Sequence, residues 1–374
     1  MPRNFDDRLA RLRTRRMDNQ NVSLNSQSFG EAYEKRAASK ATRYALGAMQ
    51  EVDPRSTQIS YEEAEKVEKH LREGLSSEGL YPSFRLQGSV PLNVHIRGVS
   101  DVDLLVIEGV YLHRQHCEGS LKSYLPYTGA GTMIDDVLLL RSKSEQVLER
   151  RFWGATVDTK QAKSIQLSDG AFRRKVDVVP SNWLDTAAYQ RTLDEAQRGV
   201  EIVNKYTREH IRNYPFLYIS EINAKARQTS EGARMGIRLA KNVKNDAEAD
   251  IALNSYDIGS LIYHCPDHYI THQVARDLMI LSGVERWFDE LSRNYTMATT
   301  LITPDGTRRI LDEAAKWEGL LRLSGELTDL ARAVERELAS PYDYVPVDRD
   351  TLRKRLNDNA IPLAPEHISG GRIF

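Results

Sequence analysis

Two carboxylates interrupt an apolar run in the segment from Asp101 to Ile107, and this feature strongly limits what the chain can fold into. The segment reads DVDLLVI, and its valine, leucine and isoleucine residues predict a β-strand. Side chains two positions apart on a strand point to the same face, so Asp101 and Asp103 project together. Burying an ionised carboxylate without a cation is costly. The pattern therefore predicts either a solvent-facing strand or a cation site.

A third carboxylate and a Gly-Ser pair favour the cation site. Asp177 interrupts another apolar run, KVDVVP. The pair Gly88-Ser89 stands at the end of the short apolar run that begins at residue 84. Carboxylate oxygens are ligands that Mg²⁺ and Mn²⁺ prefer, and three of them can hold two ions. Glycine permits close backbone approach, while the serine hydroxyl and nearby N–H groups suit a phosphate. We therefore expect a site for a metal-bound nucleoside triphosphate.

The order of the secondary-structure patterns predicts an α+β fold. Helical patterns cover residues 31–51 and the stretch that a capping box, SYEE, opens at residue 60. Strand patterns then follow, with a hairpin turn at Ser168-Asp169-Gly170; they lie at residues 84–88, 102–107, 157, 165–167 and 176–179. The strand signal fades after residue 185. The predicted domains are a lobe of strands with N-terminal helices (1–190), a helical lobe (191–340) and an irregular tail (341–374).

Composition narrows the class of protein. A chain of 374 residues exceeds the usual size of a single core, which agrees with two lobes. No apolar stretch approaches the roughly 20 residues needed to cross a bilayer, and two cysteines cannot form a disulfide framework. The net charge of -1 gives no overall field for nucleic acid. We expect a cytoplasmic protein with no membrane association and no obligatory nucleic acid partner.

The Gly-Ser pair, the acidic-x-acidic strand and the later aspartate resemble the nucleotidyltransferase superfamily. The resemblance is closest to bacterial cGAS/DncV-like nucleotidyltransferases (CD-NTases). It extends to RMGIRLAKNVKNDA at 234–247 and LNSYDIGSLIYHCPD at 253–267, so it covers roughly residues 87–267. The chain departs from the motif at Gln87, where the superfamily often has a second glycine.

The resemblance implies a fold, a reaction and a set of roles. The fold would be a polymerase β-like core with a mixed sheet and a C-terminal helical lobe. The reaction would join ATP and other NTPs into a cyclic di- or trinucleotide second messenger of antiphage (CBASS) defence, by two-metal phosphoryl transfer. Two Mg²⁺ or Mn²⁺ ions would be held by the catalytic residues Asp101, Asp103 and Asp177. Gln87, Gly88 and Ser89 would bind nucleotide.

Further nucleotide contacts are predicted in the helical lobe. Arg238, Lys241 and Lys244 recur every three residues and fall near one helix face, where they would meet a triphosphate or simply face solvent. Ser255 and Tyr256 open the next helix. The tyrosine would stack on a base or belong to the core.

Asn223, in ISEINAKA, would read a base edge or serve as a turn or cap residue. The ending HISGGRIF suggests either a handle for an E1/E2-like conjugating partner, as in some CD-NTases, or a tail that packs into an apolar groove.

Three other interpretations stay open. The histidines and cysteines of segments 113–117 and 264–268 are zinc-ligand types, although paired cysteines are missing. The same carboxylates would serve a linear oligonucleotide synthase or a template-independent RNA nucleotidyltransferase, although no broad basic and aromatic RNA track is apparent. A non-catalytic nucleotide-binding scaffold is disfavoured by the presence of all three aspartates.

Overall fold

The computed structural model describes residues 4–16, 32–96, 100–127, 131–339 and 345–363. It confirms an α+β fold, with every strand predicted between residues 84 and 179 present. The strands are β1 (Ser83–Gln87), β2 (Val102–Arg114), β3 (Thr156–Asp158), β4 (Ile165–Ser168), β5 (Val176–Asp185), β6 (Gly199–Val203) and β7 (His210–Asn213). The helices are α1 (Phe5–Arg16), α2 (Ala32–Arg36), α3 (Lys40–Met49), α4 (Pro54–Ser76), α5 (Met133–Arg151), α6 (Ala187–Thr192), α7 (Pro215–Gln228), α8 (Gly232–Asp246), α9 (Ser255–Tyr263), α10 (Asp267–Ile270), α11 (Leu278–Arg293), α12 (Tyr295–Thr300), α13 (Ala314–Leu338) and α14 (Arg349–Asp358), with a short 3₁₀ helix at Glu195–Gln197.

The sheet is mixed and is organised around β5. In the described part of the chain it has seven strands, in the order β1-β2-β5-β4-β3, with β6 paired to β5 and β7 to β6. β2 and β5 run parallel, whereas the other pairs are antiparallel. β5 therefore contacts β2, β4 and β6, and it places its own carboxylate beside that of β2.

The two faces of β2 and β5 have different surroundings. Val102, Leu104 and Val106 of β2 pack in one apolar cluster with residues of α4 and α5, including Leu71 and Leu148. Strand side chains alternate between faces, so Asp103 projects from the face opposite to these helices. Each large aliphatic side chain buried in such a cluster contributes about 1.5–3 kcal/mol. This packing fixes which face carries the carboxylates.

The chain forms two compact units whose boundaries differ from the predicted domains. The sheet unit comprises residues 54–92 and 100–221, and the helical unit comprises 1–53, 93–99 and 222–374. The predicted boundary at residue 190 was wrong because β6 and β7 follow it and extend the sheet. The strand signal there was weak because β6 carries a buried glutamate, Glu201, and β7 is largely exposed.

Helices α1 to α3 belong to the helical unit, which the prediction for residues 1–190 missed. The buried Tyr44 of α3 donates its hydroxyl hydrogen bond to Asp246 of α8 over 2.8 Å. The backbone N–H of Thr42, also on α3, donates to Glu337 of α13 over 2.8 Å. These partners lie far away in sequence, so local patterns could not reveal them.

The structure also differs from the sequence prediction at the start of one helix and in the C-terminal segment. The helix predicted to open at the SYEE box begins earlier, at Pro54, because proline suits the first helical turn, and Ser60 lies buried inside the helix. The tail predicted to be irregular contains α14, whose N-cap Asp348 accepts a hydrogen bond from the N–H of Thr351 over 2.9 Å. The proposed conjugation handle, residues 370–374, lies outside the described residues.

None of the described helices combines the length and the apolar character that crossing a bilayer requires.

Candidate active site

Four polar residues form a row across one face of the sheet. Gln87 of β1 pairs with Asp103 of β2, Asp103 pairs with Asp177 of β5, and Asp177 pairs with Gln166 of β4. Directly paired residues on neighbouring strands project to the same face. Asp101 comes just before β2 and, like Gln87, Asp103 and Asp177, is half-buried. The strand register thus places Asp103 and Asp177 side by side on one face of the sheet.

Gly88 makes room for the Asp103 carboxylate. Its φ of +78° lies in the left-handed region, which glycine adopts without strain. A Cβ atom at this position would lie 2.2 Å from Oδ2 of Asp103, far inside van der Waals contact. Gly88 thus has two reasons to be glycine, and Ser89 follows it in the turn that continues to Asn93.

The electrostatics of the site disfavour its negative charges. Burial raises the pKa of Asp101, and the nearby Lys175 offsets only part of that rise. Burial also raises the pKa of Asp177; the hydrogen bond from Gln166 and the charge of Lys175 oppose this, while the charge of Asp101 adds to it. A divalent cation would relieve this unfavourable charge, and the oxygen ligands are of the kind that Mg²⁺ and Mn²⁺ take. The donor set therefore fits such ions.

The carboxylates do not converge in this structure. Oδ2 of Asp103 lies beside Gly88, in the turn after β1. The Asp177 carboxylate instead accepts a hydrogen bond from Gln166 of β4. Among the described residues, no three histidine, cysteine, aspartate or glutamate side chains are arranged to hold a metal ion.

In the helical unit, the basic face of α8 is buried. Arg238 donates to the backbone carbonyls of Met49 and Asn93, each over 2.7 Å, and Nζ of Lys241 donates to the carbonyl of Val94 over 2.7 Å. Their exposures of 6% and 4% rule out the solvated-face alternative for these two residues. Lys244 is half-buried. An ammonium has three donors, so the phosphate contact predicted for Lys241 stays a prediction.

We expect Lys241→Ala to destabilise the protein even without nucleotide. It would leave the Val94 carbonyl without a charged donor, a loss of about 1.5–3 kcal/mol. Lys244→Ala on the same helix is the matched control and should change stability by no more than about 0.5 kcal/mol. Thermal unfolding of the nucleotide-free proteins measures both. Equal melting temperatures for wild type and Lys241→Ala would contradict the structural role.

The remaining predicted base contacts lie on other helices of the same unit. Ser255 is exposed and Tyr256 half-buried at the start of α9, and the Arg308 guanidinium lies 5.5 Å from the tyrosine ring centroid. Asn223 of α7 accepts a hydrogen bond through Oδ1 from Arg234 over 2.8 Å. Tyr256 is thus not a fully buried core residue, and Asn223 lies within α7 rather than at a turn or cap. Their roles toward a base stay predictions.

The residue types that suggested zinc have other partners. Segment 113–117 lies in the sheet unit and segment 264–268 in the helical unit. His113 is hydrogen-bonded through Nδ1 to Glu201. His264 is bonded through Nε2 to a backbone carbonyl over 2.7 Å. These contacts explain both histidines without a metal.

Gln166 and Lys175 are the members of the site that sequence reasoning missed. A glutamine in a four-residue strand carries no motif, and its pairing with Asp177 depends on a connection that runs from Asp169 to Lys175. Lys175 immediately precedes β5, and its backbone carbonyl accepts the N–H of Val102 over 3.0 Å. Its position two residues before Asp177 is the only sequence signal for its place near the carboxylates.

Comparison with known proteins identifies the family to which this fold belongs. Residues 220–320 match the profile of the cGAS/DncV-like nucleotidyltransferase C-terminal helical domain. A protein named cyclic dinucleotide synthase CdnE, from Yersinia aleksiciae, is 40% identical over 332 residues, which cover 87% of this chain and 86% of that protein.

Solved structures agree with this result. The STING-associated CdnE c-di-GMP synthase from Flavobacteriaceae sp. matches with a TM-score of 0.73 at 25% identity, covering 89% of this chain and 99% of that one. The corresponding synthase from Capnocytophaga granulosa matches with a TM-score of 0.71 at 26% identity, covering 88% and 97%. The sequence match covers most of the chain, and the mixed sheet carries the paired aspartates Asp103 and Asp177. This chain therefore belongs to the cGAS/DncV-like nucleotidyltransferases, the CD-NTase family of enzymes.

Proposed function

We propose that this nucleotidyltransferase joins two nucleoside triphosphates into a cyclic dinucleotide second messenger. The observation that carries the proposal is the parallel register of Asp103 with Asp177, with Asp101 two residues before the first of them. The relatives support the product class, since they are named as cyclic dinucleotide synthases or c-di-GMP synthases. A dinucleotide is therefore favoured over a trinucleotide.

The chain's own residues provide three functions in this reaction. Asp101, Asp103 and Asp177 would hold two Mg²⁺ or Mn²⁺ ions, which when bound activate a ribose hydroxyl and stabilise the departing pyrophosphate. Gly88 keeps backbone and carboxylate close together, and Ser89 offers its hydroxyl and N–H to a phosphate. Positioning and electrostatics then supply most of the catalysis, as in other phosphoryl transfers.

The substrates of the proposed reaction are ATP and other NTPs. Two solved relatives are named c-di-GMP synthases, which makes GTP a first candidate. Asn223 and Tyr256 are the proposed base contacts, with Ser255 beside them, and Lys241 and Lys244 the proposed contacts to the triphosphate. Gln87 lies at the β1 end of the row of four polar residues, just before Gly88, and is also proposed to contact the nucleotide.

Incubation with all four NTPs and Mg²⁺, followed by phosphatase treatment and mass spectrometry, tests the proposal. A phosphatase-resistant product with the mass of a cyclic dinucleotide is expected, because a ring has no terminal phosphate. A product that phosphatase degrades would identify a linear oligonucleotide synthase instead. No product under any combination of NTPs and with either Mg²⁺ or Mn²⁺ would favour a nucleotide-binding scaffold. Each radiolabelled NTP used in turn then identifies the bases.

A further inference from the structure

A glutamine outside every motif contacts the third carboxylate. Nε2 of Gln166 donates a hydrogen bond to Oδ1 of Asp177 over 3.1 Å. The two residues are direct partners in the antiparallel pairing of β4 with β5. Among the residues that the structure describes, Gln166 makes the only hydrogen bond to this carboxylate, and that bond occupies one of its two oxygens.

The backbone position of Gln166 is fixed by its strand. Its neighbours Ile165 and Leu167 are both fully buried, and they pair with Val178 and Val176 of β5. A register change in β4 would move both apolar side chains out of the core. The backbone of Gln166 is thus held at a defined place opposite Asp177, and from there the half-buried side chain reaches the carboxylate.

The chemistry of the donor is as informative as its position. An amide N–H stabilises the charged carboxylate but brings no positive charge, so Asp177 can remain an anionic ligand. A lysine or arginine at the same place would neutralise the ligand and repel a cation. Carboxylates that bind metals are generally held by such hydrogen bonds, and losing the partner typically costs 10–100-fold in metal affinity or activity.

We propose that Gln166 is the positioning residue of the third carboxylate: its amide fixes Asp177 through one oxygen and leaves the other oxygen to bind a divalent cation. This inference rests on the proposed function, because it assigns Asp177 to metal binding. It extends the site to β4, a strand that the acidic motifs do not include.

The test measures metal binding apart from turnover. The full-length protein is titrated with Mn²⁺ alone, and free Mn²⁺ is followed by its electron paramagnetic resonance signal. Gln166→Met removes the donor but keeps the side-chain length, and we expect it to weaken Mn²⁺ binding about 10–100-fold. Gln166→Asn, whose amide ends one methylene short of the carboxylate, should weaken it in the same direction and serves if the methionine variant folds poorly.

Two controls separate positioning from a general effect on the sheet. Ser168→Ala alters the same strand and the same face two residues away, where the serine hydroxyl donates to Asp169, and it should bind Mn²⁺ as the wild type does. Asp177→Asn should abolish the binding that Gln166→Met only weakens. In turnover assays, raising the Mg²⁺ concentration should restore kcat in Gln166→Met but not in Asp177→Asn.

Wild-type Mn²⁺ affinity in Gln166→Met, or a loss in Ser168→Ala as large as in Gln166→Met, would overturn the proposal. Absence of Mn²⁺ binding in the wild type would overturn it as well. The proposed function fails separately, through the absence of a cyclic product, because the Mn²⁺ titration requires no NTP and no turnover.

Discussion

Replacing Asp101, Asp103 or Asp177 by asparagine should abolish cyclic dinucleotide synthesis while the protein remains folded. Each substitution removes a charged oxygen ligand from the proposed metal site. Metal ions stabilise such transition states by several kcal/mol, so a rate loss of about 10³-fold or more is expected. Mass spectrometry of the product measures the loss, and circular dichroism checks the fold. Near-normal turnover in a soluble Asp103→Asn protein would contradict the assignment.

Asp101→Asn and Asp177→Asn should not lower the melting temperature at neutral pH. Burial raises the pKa of Asp101 and, opposed by the Gln166 hydrogen bond, that of Asp177. The carboxyl groups of Asp101 and Asp177 therefore lose their protons more easily in the unfolded chain than in the folded one. As pH rises past the ordinary pKa of an aspartate, ionisation of these groups reduces the free energy of unfolding. Asparagine carries no charge and avoids this loss. In the absence of divalent metal, thermal unfolding should therefore show a Tm equal to or above that of the wild type.

Gly88→Ala should reduce synthesis by about 100-fold, because its methyl group would displace the Asp103 carboxylate. The new Cβ would lie 2.2 Å from Oδ2 of Asp103, and a displacement of about 1 Å in a catalytic group can cost 10²-fold in rate. The same alanine also pays a left-handed backbone penalty of about 1–2 kcal/mol. Product formation and Tm should be measured together.

Gly79→Ala is the matched control for that experiment. Gly79 has the same φ of +78°, but a Cβ there would have nothing within 4 Å among the described residues. Both variants should therefore lose a similar amount of stability, whereas only Gly88→Ala should lose activity. An equal loss of activity in the two variants would show that backbone strain, rather than contact with Asp103, governs the effect at residue 88.

The sheet and its carboxylates could be predicted because their signals are local. Apolar alternation predicts β2 and β5, and the side-chain period of two places Asp101 and Asp103 on one face. The partner of Asp177 could not be predicted in this way. The turn residues Asp169 and Gly170 do adopt positive φ angles, of 60° and 55°, but the connection continues to Lys175, so counting from a tight turn would give the wrong register.

The basic helix face shows a second limit of sequence reasoning. The spacing of Arg238 and Lys241 predicts one shared face, and both indeed use backbone carbonyls of segment 93–94. Whether such a face meets solvent, a ligand or another part of the chain depends on tertiary packing, which the helical period does not contain. The assignment of α1 and α3 to the first lobe failed for the same reason, since their partners come much later in the sequence.

The discontinuous composition of the helical unit has a consequence for the order of events during synthesis on the ribosome. Arg8 of α1 forms its buried ion pair with Glu326 of α13, 318 residues further on. At about 5–20 residues per second, roughly 15–60 s pass between the synthesis of these two residues. Residues 54–221 are complete well before then, so the sheet unit has all of its chain available first. The apolar face of α3, with Leu46 and Met49, meanwhile lacks its final neighbours on α8 and α13, and transiently exposed apolar surface of this kind is prone to aggregation.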